Sequence, residues 1–390
     1  VANNVTGAVC LTGAWQGDAP TAGITADFGG TVVTLRHAAL PDDRYTLRLL
    51  AAGLTDAAGN ALDGEVLGPL PSGDGLAGGD FVRSFRTDAT GAVWSAPWTP
   101  VLPAGSLIYE GRVQGALITT GDVDAFALDL DAGQHLTVVA GGAAGLAPAV
   151  SLYGPASNLL AATLGGTDAT VRVDSVEVAA AGAYRIEMAG AAGTEGTYDI
   201  HCLLNAGVEA ESVGGATNDG AAVAEPLAGR FLALTGTAAR AAVVGQAGGA
   251  ADWYRFSAAS GESVTVVGRW DVLPGGALTL WDETGALRAV GTPRGLDRQV
   301  VVDWRAPTSG VYTLQLPPGT GAYALVVGRA VTFDFAGTSG ADAPQPVSGD
   351  TVVLGALGAA PESSLPAVQA TISMPTNLVD SQGYEWRLLG

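Results

Sequence analysis

The side chains that could do chemistry in this chain are mostly oxygen donors. Thirty-eight Asp and Glu stand against 18 basic residues, all of them Arg, and three histidines. His37, His135 and His201 fall in no His-Glu-x-x-His run. No Gly-x-Ser-x-Gly elbow and no phosphate-cradling Gly-rich motif with Lys occurs either. His201 adjoins Cys202, but neighbours on a strand point to opposite faces, which disfavours a Cys/His nucleophile pair. Asp42-Asp43 and Asp129/Asp131 sit at turn or strand-end positions and read as solvated surface. What is left is hard-cation chemistry. Calcium takes roughly six to eight oxygens from carboxylates, amides and backbone. The Asp56/Asn60/Asp63 loop is one oxygen-rich place; the competing reading is that such residues cap turns through their own backbone.

The elements that must position such residues are repeated. Asp122-Val-Asp124-Ala-Phe126-Ala-Leu128-Asp-Leu130-Asp-Ala-Gly133-Gln134 returns 128 residues later as Asp252-Trp-Tyr254-Arg-Phe256-Ser-Ala-Ala-Ser-Gly261-Glu262. Ser151-Leu-Tyr153 returns as Thr279-Leu-Trp281, and Gly182-Ala-Tyr184-Arg-Ile186 as Gly310-Val-Tyr312-Thr-Leu314, in the same register. Gly196-Thr-Tyr198-Asp-Ile200 meets Gly321-Ala-Tyr323-Ala-Leu325 at an offset of 125. Each landmark alternates apolar and polar residues, the pattern of a half-buried strand. No long amphipathic helix is legible. The expected fold is all-β, a series of tandem β-sandwich domains.

The order Asp-x-Asp-x-Phe, Ala-Gly-Gln, Leu-Tyr-Gly and Ala-Gly-Ala-Tyr-Arg-Ile resembles the bacterial pre-peptidase C-terminal domain, a small jelly-roll-type sandwich of secreted and surface proteins. The resemblance covers roughly residues 103–204 and 209–329, two tandem copies with expected boundaries 104–206 and 207–332. It implies an accessory module, so it leaves the function of the whole chain open. It also implies that calcium can bind through acidic residues ahead of the first strand together with the Asp of the Asp-x-Asp turn. In the second copy the matching positions are Glu209, Glu211, Asn218, Asp219 and Asp252, with Ala250 where the first copy has Asp122. The first copy keeps Asp122 and Asp124 but lacks the upstream Glu and Asn-Asp.

Residues 1–90 read as a different unit. A Tyr45-Thr-Leu47-Arg-Leu49 strand precedes Thr55-Asp56-Ala-Ala-Gly59-Asn60-Ala-Leu62-Asp63-Gly64, which resembles the Ig-like domains of bacterial surface proteins. Such domains usually carry a further strand ahead of the segment that Val5–Leu11 represents. An open strand edge is therefore expected at Val5, Val9 and Leu11. Residues 91–103, with Trp94, Trp98 and three prolines, read as a stiff linker. Residues 333–390 read as linker plus a strand tail. There Ala367–Met374, containing Ile372, and Tyr384-Glu-Trp386-Arg-Leu388 alternate and are candidate donated strands.

A net charge of −20 disfavours nucleic acid and anionic membranes as partners. The uncharged stretch 136–167 is broken by Gly and Pro, so sandwich strands and not a membrane span are expected there. Cys10 and Cys202 lie in different units and read as small buried hydrophobes, not a bonded pair. The chain begins at Val1 with neither Met nor a charged leader, which reads as a processed product or fragment. The expected function is a non-catalytic structural subunit of a bacterial surface layer or extracellular fibre that self-associates. The alternative is a spacer or substrate-binding region of a larger secreted hydrolase, with an extracellular polymer as ligand.

Overall fold

The computed structural model describes residues 7–18, 40–54, 61–67, 74–88, 94, 98–103, 106–234 and 237–331. It gives the backbone alone of the short strands at 25–29, 32–36, 91–93, 332–333, 352–353, 371–372, 378–379 and 385–387. Val5, His37, Asp56, Asn60, Tyr384 and Leu388 lie outside the described residues. The chain is almost entirely β, arranged as sandwiches.

Each repeat is a two-sheet sandwich, and the two share one strand order. In the first, Leu159–Leu164, Pro148–Tyr153, Gly182–Gly190 and Val123–Leu130 form one sheet, and Gly91–Val93 joins its edge in parallel. The second repeat builds the same sheet from Leu287–Val290, Thr279–Asp282, Gly310–Leu316 and Asp252–Ala258, with Glu225–Pro226 as the parallel edge. The facing sheets run Thr170–Glu177, His135–Ala143, Gly196–Leu204, Tyr109–Leu117 in the first copy. In the second they run Arg298–Arg305, Ser263–Trp270, Thr320–Arg329, Ala239–Gly248.

Register agrees residue for residue. Asp124 faces Met188 and Leu128 faces Tyr184; Asp252 faces Leu316 and Phe256 faces Tyr312. The same bulge interrupts Leu136/Val138 and Val264/Val266. Opposite each bulge a residue is forced to positive φ, Ser175 at 51° and Asp303 at 47°. A buried threonine, Thr137 or Thr265, accepts that residue's N–H at 2.8 or 3.1 Å. Gly133 and Gly261 turn at φ 87° and 78°, a conformation that costs glycine little, and each donates across to the neighbouring strand.

The alternation in sequence sets which face is buried. Tyr184, Ile186 and Met188 turn into the first core, where Leu136, Val138, Ile200 and Cys202 meet them. Trp94 and Trp98 are part of that core as well, and Phe126 packs edge-on to Trp94. The stretch read as a linker is therefore strand and core of the first sandwich. Pro100 is accommodated because Thr99–Pro100 lies at a sheet edge. Cys202 is buried with its thiol pushed up by desolvation, and Cys10 is free too. Cys202 therefore behaves as a small hydrophobe, whereas Cys10 is only half-buried.

A further apolar cluster joins the repeats. Val139 and Leu203, on the outer face of one first-copy sheet, pack with Val208, Ala242, Val267 and Val326 of the second copy. The two sandwiches thus stack as four β layers with an apolar cluster between the middle pair.

The N-terminal unit is a four-stranded sheet of Gly17–Asp18, Val9–Gly13, Asp43–Leu49 and Phe81–Thr87. Val9 and Leu11 are buried on one face, and Tyr45 stacks on Phe85. Gly17–Asp18 pairs only with Thr12 and Gly13. Among the described residues, the outer edge of Val9–Leu11 faces no strand. In the tail, Thr371–Ile372 pairs with Val352–Val353, and Glu385–Arg387, carrying Trp386, pairs with Thr332–Phe333. Both candidate donor strands thus have partners within the chain. No helix among the described residues is long and apolar enough to cross a membrane.

Candidate metal centre

In each copy, acidic residues ahead of the motif strand gather beside the aspartate the two motifs share, Asp124 or Asp252. In the second copy, Glu211, Asp219 and Asp252 each place a carboxylate oxygen within 4.8 Å of the others. Glu211 opens a short 3-10 turn and Asp252 begins the strand Asp252–Ala258. Asn218 holds the connecting loop: its carbonyl accepts from Trp253 N–H at 2.9 Å, and its Nδ2 donates to Trp253 O at 3.3 Å. That grip fixes Asn218 while leaving its Oδ1 buried and without a partner.

Asp252 Oδ2 and Glu211 Oε2 are likewise buried and unpartnered. An unmet buried acceptor costs on the order of 1–3 kcal/mol, so two on the clustered carboxylates, with a third on Asn218 next in sequence to Asp219, favour something positive there. Burial, then the Glu209 carboxylate, pushes the Asp252 carboxyl well above the ordinary range, while Tyr323 opposes. Glu211 is raised by burial and by the charges of Asp219 and Glu209. The donor set is all oxygen with three carboxylates, which fits a hard divalent cation such as calcium and not a thiolate- or imidazole-preferring metal. Asn218 also lies on the wall of a cavity of about 610 Å³ between the repeats, shared with Arg172, Asp174, Glu225 and Arg230.

Glu209 does a different job. Its Oε1 accepts from Tyr323 at 2.6 Å and Tyr254 at 3.3 Å, and its Oε2 from Ser212 at 2.6 Å and Gln246 N–H at 3.2 Å. With both oxygens engaged, it braces the wall of the cradle and adds negative potential to it.

The first copy assembles Asp88, Asp122 and Asp124 in the same way. Asp124 is 2% exposed; its Oδ2 accepts from Tyr198 at 2.6 Å, and its Oδ1 is buried without a partner. Burial, together with the charges of Asp122, Asp42 and Asp88, raises its carboxyl to about 7 against the Tyr198 bond. Asp122 anchors the turn by accepting Ile118 N–H at 2.8 Å. A third, half-exposed group joins Asp63 to Glu65 and Asp74 in the N-terminal unit.

Sequence reading found Asp122, Asp124 and Asp252 through the repeat, and Glu211, Asn218 and Asp219 through the resemblance. It missed Asp88, Glu65 and Asp74. Nothing in the spacing singled out Asp88, which directly follows the strand Phe81–Thr87. Of the histidines, His135 is buried at a strand start, and His201 Nε2 contacts Glu110 at 2.8 Å. His135 Nδ1 also lies 3.2 Å from the Ser175 hydroxyl.

No family model matches the chain, and no curated protein matches it. Among solved structures it is similar to the periplasmic g-type lysozyme inhibitor PliG of Aeromonas hydrophila, with 17% identity and a TM-score of 0.22. That match covers 29% of this chain and 98% of the inhibitor. It is similar to the PBSX exported protein XepA at 13% identity and TM-score 0.18, over 56% of this chain and 85% of that one. Tripeptidyl peptidase 2 matches at 10% identity and TM-score 0.21, over 83% of this chain and 29% of that one. TM-scores this low leave function to be argued from the chain's own residues.

Proposed function

We propose that this chain is a non-catalytic structural module of an extracellular bacterial assembly, with its sandwiches acting as a stiff spacer and calcium seated at the joint between the repeats. The four-layer stack carries this reading. Val139, Leu203, Val267 and Val326 bury a seam whose opening would expose apolar surface, so the repeats move as one body. A spacer needs that stiffness; a mobile pair of accessory domains does not. The resemblance to pre-peptidase C-terminal and surface Ig-like domains and the acidic surface support an extracellular setting. Glu211, Asn218, Asp219 and Asp252 would hold the ion, which would offset the mutual repulsion of their carboxylates.

Assembly into a surface layer or fibre would use the open edge at Val9–Leu11. Because Trp386's strand pairs with Thr332–Phe333 of its own chain, a donated tail would have to be exchanged between copies. Such exchange is head-to-tail and need not close. Electron microscopy of the purified protein, with and without residues 361–390, tests it. Filaments that vanish on deletion are the expected outcome; monomers in both cases would overturn self-assembly.

A second reading, a polymer-binding region of a secreted hydrolase, is favoured by one observation. Trp253 and Trp281 lie 6.3 Å apart, half-buried, with Trp281 Nε1 fixed by Thr279 Oγ1 at 2.9 Å. By contrast Trp270 is fully buried and Trp304 packs on Tyr312. Retention on insoluble polysaccharide or collagen that is lost in Trp281→Ala would support this reading over the first.

A further inference from the structure

The two cradles differ in where their ligands come from. In the second copy all the carboxylates belong to that repeat and the loop leading into it. In the first, Asp122 and Asp124 belong to the sandwich, but Asp88 is contributed by the N-terminal unit, one residue beyond its last strand Phe81–Thr87. We infer that a divalent cation held by Asp88, Asp122 and Asp124 is an interdomain latch that sets the N-terminal unit against the first sandwich. This rests on the reading of these oxygen cradles as cation sites and adds a mechanical role peculiar to the first.

A cluster of carboxylates alone would be ordinary surface. Here Asp124 is 2% exposed and Asp122 8% exposed, and Asp124 Oδ1 is buried with no donor to meet it. The only bond on the other oxygen comes from Tyr198. A buried, unpartnered carboxylate clustered with two further carboxylates is relieved by a proton or by a cation among them. The oxygen-only donor set points to calcium in preference to softer metals.

The geometry around the cluster explains why the ion would act on the joint. Three residues after Asp88 the chain enters Gly91–Val93, which pairs with Ala125–Ala127, immediately beside Asp124. Among the described residues, Arg44 makes further polar contacts across this joint. Arg44 Nε donates to Ile118 O at 3.0 Å, and its Nη2 meets Glu195. Asp42, two residues before Arg44, adds negative charge on the same side. Without a cation, Asp42 and Asp88 repel Asp122 and Asp124 and work against Arg44. With one, the same residues pull the two units together.

The test uses the full chain and calcium chloride. Calorimetry counts the ions, and small-angle scattering with limited proteolysis at residues 88–90 reads the joint. Calcium is expected to make the particle more compact and to slow cleavage there, and EDTA to reverse both. Asp88 is exposed, so Asp88→Asn leaves the cores intact. This variant should lose one bound ion, or weaken it at least tenfold, and abolish the calcium effect on the joint. Asp219→Asn should lose the other ion and leave the joint's response unchanged. An Asp88→Asn chain that still binds both ions, or a wild-type joint indifferent to calcium, overturns the latch while leaving the second-copy site standing. A wild-type chain that binds no calcium overturns both.

Discussion

Tyr198 and Tyr323 stand at the same strand position of their repeats, yet they give their hydroxyls to different carboxylates. Tyr198 donates to Asp124 at 2.6 Å, and Tyr323 donates to Glu209 at 2.6 Å. The difference follows from what surrounds each acceptor. Asp124 has no other donor, whereas Glu209 also receives Tyr254, Ser212 and Gln246 N–H. In the second copy the hydroxyl bears on two carboxylates, bonding Glu209 and acting to lower the pKa of Asp252.

That difference predicts unequal costs in EDTA. Tyr198→Phe leaves a buried carboxylate with no donor, a loss of about 1–3 kcal/mol. Tyr323→Phe leaves Glu209 three donors and should cost about 1 kcal/mol or less. Urea unfolding of both variants checks it; equal losses would mean that Asp124 finds another donor in solution.

The fold was legible because alternation reports on burial directly. Tyr184, Ile186 and Met188 point inward for the reason they alternate, and a 128-residue spacing survives only if every bulge and turn between landmarks survives as well. What stayed hidden was partnership between surfaces. Val139 and Leu203 alternate with core residues and so look outward-facing, as they are, but the outside of that sheet is the inside of the four-layer stack. Glu209 has the residue type of a ligand, and only its four donors reveal that its oxygens are committed. Asp88 belongs to the first cradle through a fold in the chain that no spacing rule encodes.

The seam between repeats gives a second prediction. Leu203 is fully buried there. Leu203→Ala should cost about 2–5 kcal/mol, the range for emptying a packed leucine site. Leu296, 94% exposed, serves as control, and its change to Ala should stay within about 0.5 kcal/mol. Calorimetry of the Leu203 variant should also begin to separate the two repeats into distinct transitions. A mild effect at Leu203 would mean that the sandwiches part readily.

Arg240 gives a third. It is fully buried, donates to Asn205 O, and leaves Nε and Nη2 without partners. Among the described residues it forms no ion pair. Burial pulls its guanidinium down to about 9. A buried charge with so little compensation is replaceable by an apolar chain of similar length. Arg240→Met should therefore leave stability unchanged or raise it, by up to about 4 kcal/mol. A marked loss would show that the guanidinium has a partner in solution, such as ordered water.

His135 gives the last, and it is a prediction about pH. Its ring is buried, with Nδ1 3.2 Å from Ser175 Oγ. Desolvation holds its pKa below the ordinary value, reinforced by the Arg240 charge and opposed by Glu177 and Ser175. The folded protein therefore keeps His135 neutral, while the unfolded chain takes up a proton near pH ~6.5. Below that value the unfolded state binds more protons, so stability falls as pH falls. The contribution is fully present above the unfolded pKa and is lost as pH drops toward the folded one. His135→Gln carries no such proton. Its deficit in Tm relative to wild type should shrink between about pH 7.5 and about pH 5, because wild type alone loses this term. In the Arg240→Met background the wild-type loss should lessen, since one charge opposing protonation is gone. A deficit that stays constant across the range would mean that His135 titrates alike in both states.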